Sequence, residues 1–249
     1  MQPKQHIHST VFIMIKLRAA AERGYADHGW LQARHSFSFA DYYDAAQMGW
    51  GVLRVINEDR IAPDSGFGTH GHRDMEIVTW LIDGELEHRD SLGNGGVLRP
   101  GEVQRMSAGS GIRHSEFNPS PSASTHLLQI WLRPAQAGGQ PSWEQRSFAP
   151  ALLDDRLQPI ATPDGAAGST TIAQDARVYA SRPAAGSRLV HALAPGRLGW
   201  VQVVAGRLTV NGVALVAGDG AALADETQIE FQADEAAEFL FFDLPPESI

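Results

Sequence analysis

The sequence predicts an all-β protein built from two similar β-barrels. From residue 50 onward, apolar residues come in short runs at strand spacing, and Gly, Pro, Asn and Asp separate the runs. The chain of 249 residues contains 25 Gly and 14 Pro, which is typical of a protein with many turns. A likeness between the two halves of the chain then indicates a duplicated barrel.

The predicted strands form two series with a tight hairpin in each. The Asn211-Gly212 pair between Val210 and Val213 is the strongest hairpin signal, because both residues tolerate the positive φ angles of a two-residue turn. A second hairpin is predicted at Gly93-Asn94-Gly95. The first series covers residues 51–57, 75–83, 84–90, 102–107 and 126–133, and the second covers 178–180, 189–193, 199–204, 207–210, 213–216, 220–223, 228–231 and 238–244.

A short repeat supports the duplication. Gly84-Glu-Leu-Glu is followed by Pro100-Gly101-Glu102, and Gly206-Arg-Leu-Thr is followed by Ala217-Gly218-Asp219. Each half thus has a strand, a glycine turn, a second strand and a Gly-acid pair before the next strand. Generic hairpin sequences remain the alternative explanation for so short a repeat.

The expected domains follow from these series. The first barrel covers residues 14–134, the second covers 150–249, and residues 135–149, rich in Pro, Gly and Gln, form a linker. A short helix is predicted at residues 149–156. Residues 1–13 have no pattern and are expected to be a disordered extension, so His6 and His8 receive no role.

Composition limits the possible partners. Twenty basic and twenty-nine acidic residues give a net charge of -9, which disfavours direct binding to nucleic acid or to anionic membranes. The chain has no cysteine, so any metal must be bound by nitrogen and oxygen ligands. Without a membrane-spanning run or a signal-peptide pattern, the protein is expected in the cytoplasm.

Three of the ten histidines lie in two short motifs, His70-Gly71-His72 and His114-Ser115-Glu116. Because residues i and i+2 of a strand point to the same face, each motif can direct two side chains to one side. Two neighbouring strands would then offer three imidazoles and one carboxylate to a divalent cation such as Fe, Ni, Co, Cu, Mn or Zn. A single such motif is more often a surface feature, but the pair favours a metal site.

The residues around these motifs resemble the two cupin motifs and, more closely, the pirin family. His70, His72, Glu76 and Gly84 match the first motif, and Gly101, Gly109, Gly111, His114 and Asn118 match the second. The stretches Gly66-Phe-Gly-Thr-His-Gly-His-Arg-Asp-Met-Glu, Glu87-His-Arg-Asp-Ser-Leu-Gly-Asn and Met106-Ser-Ala-Gly-Ser-Gly-Ile-Arg-His-Ser-Glu look like the bacterial pirins described as quercetin 2,3-dioxygenases. The likeness runs from Met14 almost to the end of the chain. One departure is Gly71, where the family commonly has proline.

The resemblance implies a fold, a ligand set and a reaction. The fold would be a bicupin, two tandem antiparallel jelly-roll barrels with few short helices. The ligands would be His70, His72, His114 and Glu116 around one divalent transition metal, with iron expected first. The reaction would be the oxidative opening of a flavonol such as quercetin by O₂, giving a depside and CO. Glu116 would be the catalytic base.

Other residues receive roles with less support. Glu76 would lie behind the ligands and orient an imidazole, or instead pair with Arg73 or another cation. Phe67 and Phe39 are expected to line the substrate pocket; Phe37, Met48 and Trp50 are further candidates for its walls. His35 and His126 are interpreted as structural. The second barrel, in which His191 stands alone, is expected to bind no metal.

A function of a different class also fits the ligand set. Eukaryotic pirins are thought to act with transcription factors, so the resemblance also allows a metal-containing regulatory or redox-sensing protein that contacts another protein. The closer likeness to the bacterial branch favours the dioxygenase.

Overall fold

Two antiparallel β-barrels form the molecule, which is represented by a computed structural model that describes residues 14–246. The all-β, two-barrel fold expected from the sequence is confirmed. Residues 1–13, which the sequence suggested to be an extension, lie outside the described residues. Among the described residues, no helix has the length and apolar character needed to cross a membrane.

The first barrel consists of a seven-stranded sheet and a four-stranded sheet. The order of the large sheet is β12-β9-β6-β11-β4-β3-β2, and that of the small sheet is β5-β10-β7-β8. Their strands are β2 (Gly24–Asp27), β3 (Leu31–His35), β4 (Leu53–Ile61), β5 (Gly66–His72), β6 (Glu76–Asp83), β7 (Leu86–Asp90), β8 (Gly95–Leu98), β9 (Glu102–Ser107), β10 (Ile112–Phe117), β11 (Thr125–Leu132) and β12 (Ser142–Ser147).

The second barrel repeats this arrangement. Its large sheet has the order β1-β20-β17-β22-β15-β13-β14 and its small sheet the order β16-β21-β18-β19. The strands are β1 (Met14–Arg18), β13 (Gln158–Thr162), β14 (Thr170–Thr171), β15 (Arg177–Ser181), β16 (Arg188–Ala192), β17 (Leu198–Ala205), β18 (Arg207–Val210), β19 (Val213–Val216), β20 (Gly220–Ala224), β21 (Gln228–Ala233) and β22 (Glu238–Leu244). Only the two-residue β14 pairs in parallel among the ladders of the described residues.

The two predicted hairpins are present. Val210 pairs with Val213 across the turn, and Asn211 and Gly212 have φ angles of 43° and 85°. Strands β7 and β8 pair on either side of Gly93, whose φ is 86°. Gly84 and Gly206, the repeated glycines, both adopt positive φ directly after a long central strand, as the repeat predicts.

The long central strands are buried on both faces because the two large sheets pack against each other. In β11, Leu127 packs inside the first barrel, whereas its neighbour Leu128 joins a core that also contains Trp200 and Phe242 of the second barrel. Strand β22 follows the same rule, with Phe241 inside its barrel and Phe242 between the barrels. Strands of this kind have near-continuous apolar sequences rather than an alternating pattern.

Three details differ from the expected organisation. The segment 149–156 is not a helix: only the 3-10 turn Pro150–Leu152 forms, and Asp155 at φ 48° cannot continue a right-handed helix. Residues 142–147 of the expected linker form β12, which pairs with β9. Strand β1, expected in the first barrel, pairs with β20 of the second.

Candidate metal centre

Strands β5 and β10 bring the two histidine motifs together in the small sheet of the first barrel. They pair antiparallel, with His70 directly opposite His114 and His72 opposite Ile112. A shift in register between His114 and Glu116 places Glu116 beside Phe67 of β5. Pairing of β10 with β7 on its other side fixes this face of the sheet.

Three imidazoles converge at this point. The Nε2 atoms of His70 and His114 lie 3.1 Å apart, and each ring centroid of His70, His72 and His114 lies within 5 Å of the other two. One nitrogen of each of the three lies within 4.8 Å of the others. Glu116 belongs to a second such group with His114 and His88. The four residues expected from the sequence therefore lie in two overlapping groups that share His114.

The protonation of these histidines suits a metal ion. Nδ1 of His70 lies 2.8 Å from the carbonyl oxygen of Gly68, which can only accept, so Nδ1 is the donor and Nε2 is the nitrogen that faces His114. Burial lowers the pKa of His72 to about 4 and holds that of His114 well below its usual range. The rings of His72 and His114 are therefore neutral at pH 7, the form that binds metals. Three imidazoles beside a carboxylate fit a single divalent transition-metal ion.

Glu116 is held by two glutamine side chains. Nε2 of Gln104 donates to Oε1 at 2.5 Å, and Nε2 of Gln129 donates to Oε2 at 2.7 Å. Trp143 and Thr79 fix the orientation of these amides by donating to Oε1 of Gln104 and Gln129, respectively. Burial outweighs these hydrogen bonds and raises the pKa of Glu116 to about 7.

These glutamines belong to a polar row that crosses the large sheet. Neighbouring strands place Gln104, Thr79, Gln129, Asn57 and His35 opposite one another in register. His35 hydrogen-bonds to Asn57 at 2.8 Å, and burial lowers the pKa of His35, which agrees with its structural interpretation. The row provides a set of fixed hydrogen-bonding groups across the large sheet of the first barrel.

A cavity of about 400 Å³ opens onto the histidines. Phe67 and Phe39, the two pocket residues expected from the sequence, both line it, and each meets a tryptophan edge to face: Phe67 meets Trp30, and Phe39 meets Trp131. The remaining lining residues are Leu31, Ala33, His35, Asn57, Asp59, Gly66, Gly68, His70, His72, Ile77, His114, Glu116 and Gln129. This combination of aromatic walls and a few polar groups is typical of a small-molecule site.

Asp59 is a second buried carboxyl group in this cavity. Its side chain is 3% exposed, and its Oδ1 atom has no hydrogen-bond partner among the described residues. Burial, and then the nearby charge of Glu116, raise the pKa of Asp59 to about 8. Asp59 was not predicted from the sequence, because nothing in a strand sequence distinguishes an inward carboxylate from an exposed one.

Glu76, which was expected either to orient an imidazole or to pair with Arg73 or another cation, lies outside the cavity that the histidines line and close to Arg105. Its carboxylate accepts a hydrogen bond from Ser107 at 2.6 Å and lines a separate cleft with Arg105. Neither a ligand imidazole nor Arg73 is among its hydrogen-bond partners within the described residues. The reason is geometric: Glu76 begins β6 in the large sheet, where it lies opposite Ser107 of β9.

Several aromatic and histidine residues lie away from the cavity. Phe37 packs on Trp200 between the barrels, Trp50 packs against the same core, and Met48 is exposed. Phe37 and Trp50 are therefore core residues rather than pocket walls. His126 pairs with Glu58 at 2.9 Å, as a structural histidine would.

His88, Gln104 and Gln129 are the other site residues that sequence reasoning missed. His88 lies in the stretch Glu87-His-Arg-Asp, which was recognised as part of the family likeness but given no role. Gln129 carried a weak signal, since it interrupts the apolar run of a predicted strand. A polar residue at such a position needs a partner inside the fold.

The chain is similar to known proteins over most of its length. The Pirin family model matches residues 16–132, and a model described as the quercetinase C-terminal cupin domain matches residues 159–244. The quercetin 2,3-dioxygenase of Escherichia coli K12 is 48% identical over 94% of this chain and 100% of its own. A pirin-like protein of Caulobacter vibrioides is 45% identical over 92% of this chain and 99% of its own.

A solved structure with a bound metal is also similar. The crystal structure of a bacterial pirin from Escherichia coli in complex with nickel(II) has a TM-score of 0.90 and 48% sequence identity, covering 94% of this chain and 100% of that one. Both the sequence likeness and the structural likeness extend over both barrels. The chain therefore belongs to the pirin family.

Proposed function

We propose that this protein is a metal-dependent dioxygenase that opens the heterocyclic ring of a flavonol such as quercetin, with His70, His72, His114 and Glu116 as the metal ligands. One flavonol and one O₂ would give one depside and one CO, so the reaction needs no further reductant. The observation that carries the proposal is the position of the three imidazoles and Glu116 at one end of an aromatic-walled cavity. The name of the Escherichia coli relative, quercetin 2,3-dioxygenase, supports the choice of reaction.

A metal bound by these four residues would supply a Lewis acid that holds the two adjacent oxygens of a flavonol and lowers the barrier to reaction with O₂. Glu116 accepts the proton of the substrate 3-hydroxyl. Beside a divalent cation its carboxyl group is ionised, and the amides of Gln104 and Gln129 keep both oxygens in place. The proton stays inside the cavity because Glu116 is buried.

The cavity walls orient the substrate. Phe67, Phe39 and Trp131 present aromatic faces and edges that suit a planar polyphenol. Phe67 contacts the site directly, with its ring centroid 6.3 Å from that of His70. Placing the flavonol against these rings brings its oxygens toward the histidines.

Iron is our preferred metal, and the ligand set also accepts the other first-row divalent ions. The nickel(II) complex of the Escherichia coli pirin supports a divalent ion at this site without selecting iron. Elemental analysis of protein purified from its native host decides the identity. One equivalent of iron per protein would support iron as the native metal, and one equivalent of nickel would show that nickel is the native metal instead.

The flavonol absorption band gives the direct test of the reaction. Metal-loaded protein under air should bleach the band faster than the same concentration of free metal, and argon should abolish the difference. CO and the depside should appear in equal amounts. A band that persists under air would contradict the dioxygenase and favour a regulatory protein that acts through contacts with another protein.

Two variants test the assigned residues. His70→Ala removes one ligand and should lose metal affinity and activity together, since the remaining groups bind a first-row ion weakly. Glu116→Gln keeps a ligand oxygen but removes the base, so it should retain metal with turnover reduced about 100-fold or more. Stoichiometric metal in His70→Ala, or full turnover in Glu116→Gln, would refute the corresponding assignment.

A further inference from the structure

A buried chain of hydrogen-bonding groups leads from His114 to the neighbouring strand β7. Nδ1 of His114 lies 3.4 Å from Nδ1 of His88, and Nε2 of His88 lies 3.3 Å from Oδ2 of Asp90. The side chains of His88 and Asp90 have no exposed surface. Pairing of β10 with β7 places Asp90 opposite His114, and the indole of Trp143 stacks on the His88 ring at 10° between the planes.

Asp90 is a fixed acceptor at the outer end of this chain. The backbone N–H groups of Leu92 and Asn94 donate to its Oδ1 atom at 2.9 and 3.0 Å, and the Asn94 amide donates to Oδ2 at 3.0 Å. Although burial opposes ionisation, these hydrogen bonds and the one from His88 lower the pKa of Asp90. Asp90 is therefore a carboxylate that can only accept.

Because Asp90 only accepts, it sets the direction of both hydrogen bonds that link it to His114 through His88. His88 donates to Asp90 from Nε2, and an imidazole that carries its proton on Nε2 has an acceptor at Nδ1, the atom that faces Nδ1 of His114. His114 must then donate from Nδ1, which leaves a lone pair on its Nε2 atom. Because Nδ1 of His70 faces the Gly68 carbonyl, Nε2 of His70 is the nitrogen that faces Nε2 of His114, 3.1 Å away. Two imidazole nitrogens at this distance are placed as two neighbouring ligands of one metal ion are.

We infer that His88 and Asp90 are positioning residues that hold His114 in the tautomer whose Nε2 binds the metal. The inference rests on the ligand set proposed above and assigns a role to the Glu87-His-Arg-Asp stretch. Partners of this kind behind a ligand histidine typically change metal affinity 10–100-fold when removed. His88 and Asp90 lie outside the cavity lining, so they act on the substrate only through His114.

Nickel(II) affinity of the full-length protein, measured by competition with a chromophoric chelator, tests the inference. Asp90→Asn keeps the Oδ1 acceptor that supports the 90–94 turn but can present N–H to His88, which reverses both tautomers. His88→Leu removes both hydrogen bonds of the His88 ring, the one to Asp90 and the one to His114. Each should weaken nickel(II) binding 10–100-fold, whereas His88→Gln, which can accept from His114 and donate to Asp90, should restore most of the affinity.

Glu87→Gln provides the matched control, because Glu87 lies on the same strand and pairs with exposed Arg89. It should bind nickel(II) like the wild type. A merely structural role for His88 would lower the melting temperature without separating His88→Leu from His88→Gln in affinity. Affinities of Asp90→Asn and His88→Leu within threefold of the control would overturn the inference.

Imidazole ¹⁵N spectra of the zinc(II)-loaded protein give a second test, because they report the tautomers of His88 and His114 directly. A purely structural role of His88 and Asp90 would not set these tautomers. The wild type should show His88 with its proton on Nε2 and His114 with its proton on Nδ1. The opposite tautomers would refute the inference even if affinities changed. Failure of wild-type protein to bind nickel(II) would instead refute the proposed ligand set, and intact binding without flavonol turnover would refute only the proposed reaction.

Discussion

Asp59 and Glu116 are two buried carboxyl groups of the same cavity with different surroundings. Glu116 accepts hydrogen bonds from two oriented amides, whereas Oδ1 of Asp59 has no partner among the described residues. An ionised carboxylate without donors is costly to bury, so folding favours protonated Asp59. The surroundings of Glu116 therefore favour an ionised carboxylate beside a cation, whereas Asp59 stays protonated near pH 7.

The substitution Asp59→Asn tests this difference through the pH dependence of stability. Because the pKa of Asp59 is raised from 3.8 to about 8 on folding, its contribution to stability is complete below pH 4 and is lost as pH rises toward 8. The variant should gain about 2 kcal/mol or more over the wild type between pH 4 and pH 8. Urea unfolding of chelator-treated protein measures the gain.

Asp83→Asn is the control for that measurement, since Asp83 is exposed at the end of β6. It removes a carboxyl group outside the cavity, so subtracting its effect isolates the contribution of the buried position. A constant difference for Asp59→Asn over the same range would show that Asp59 is ionised in the folded protein.

At the scale of strands, apolar runs predicted the strands that are buried on both faces, whereas strands at the two histidine motifs were expected only from the spacing of their residues. Strands β6, β11, β17 and β22 have long apolar runs, because each lies between a barrel interior and the other barrel. Strand β5 has three glycines and one large apolar side chain, so its strand conformation comes from pairing with β10. Propensity carries little information about a strand held by its neighbours.

The residues proposed as metal ligands were nevertheless predictable, because their grouping depends on local spacing. The pairs at i and i+2 point to one face in any strand, whatever its partner. His88, Asp59 and the glutamine pair depend on which strands lie side by side and in which register. A single sequence does not specify that register, and so the groups that support the ligands appeared only in the folded structure.

Two glycines of β5 should respond oppositely to alanine. At Gly66 an added Cβ would lie 2.3 Å from the carbonyl oxygen of Glu116 and 2.6 Å from Cα of Phe117, so Gly66→Ala should push β10 away and cost about 1–3 kcal/mol. At Gly71 the nearest atom is 3.8 Å away and φ is not in the left-handed region. Gly71→Ala should stabilise the protein by about 0.4–1 kcal/mol.

Urea unfolding and nickel(II) titration of both variants measure these effects. Gly66→Ala should also weaken nickel(II) binding, because the displaced backbone carries Glu116. Gly71→Ala should bind at least as tightly as the wild type, because it stiffens the chain between two ligands. A destabilised Gly71→Ala would mean that the ligand strand needs the freedom of glycine at this position.

At the scale of the whole molecule, the short repeat read from the sequence corresponds to a repeated topology. The order β9-β6-β11-β4 of the first barrel matches β20-β17-β22-β15 of the second, and β5-β10-β7-β8 matches β16-β21-β18-β19. The exchange at the edges was not predictable: β12 completes the first large sheet beside β9, while β1 crosses to the equivalent place beside β20. The five residues of β1 have no sequence pattern that indicates which strand they pair with.

This crossing and the shared core should make the two barrels unfold together. Besides the apolar core between the large sheets, the indole N–H of Trp80 donates to Glu238 at 2.8 Å, and the backbone N–H of Ala20 donates to Asp219 at 2.7 Å. A first barrel left alone would expose the outer face of its large sheet. We therefore expect one thermal transition for the nickel(II)-loaded protein, with metal release at the same temperature.

Phe242→Ala tests this coupling from the barrel that lacks the histidine motifs. Phe242 is fully buried between the sheets, so its truncation should cost about 3–5 kcal/mol and lower the temperatures of unfolding and of nickel(II) release equally. Val190→Ala, at an exposed site of β16, should change neither. Circular dichroism and a chromophoric chelator follow both events in one scan. Release that stays at the wild-type temperature while half of the strand signal is lost would mean that the first barrel keeps its metal centre without the second.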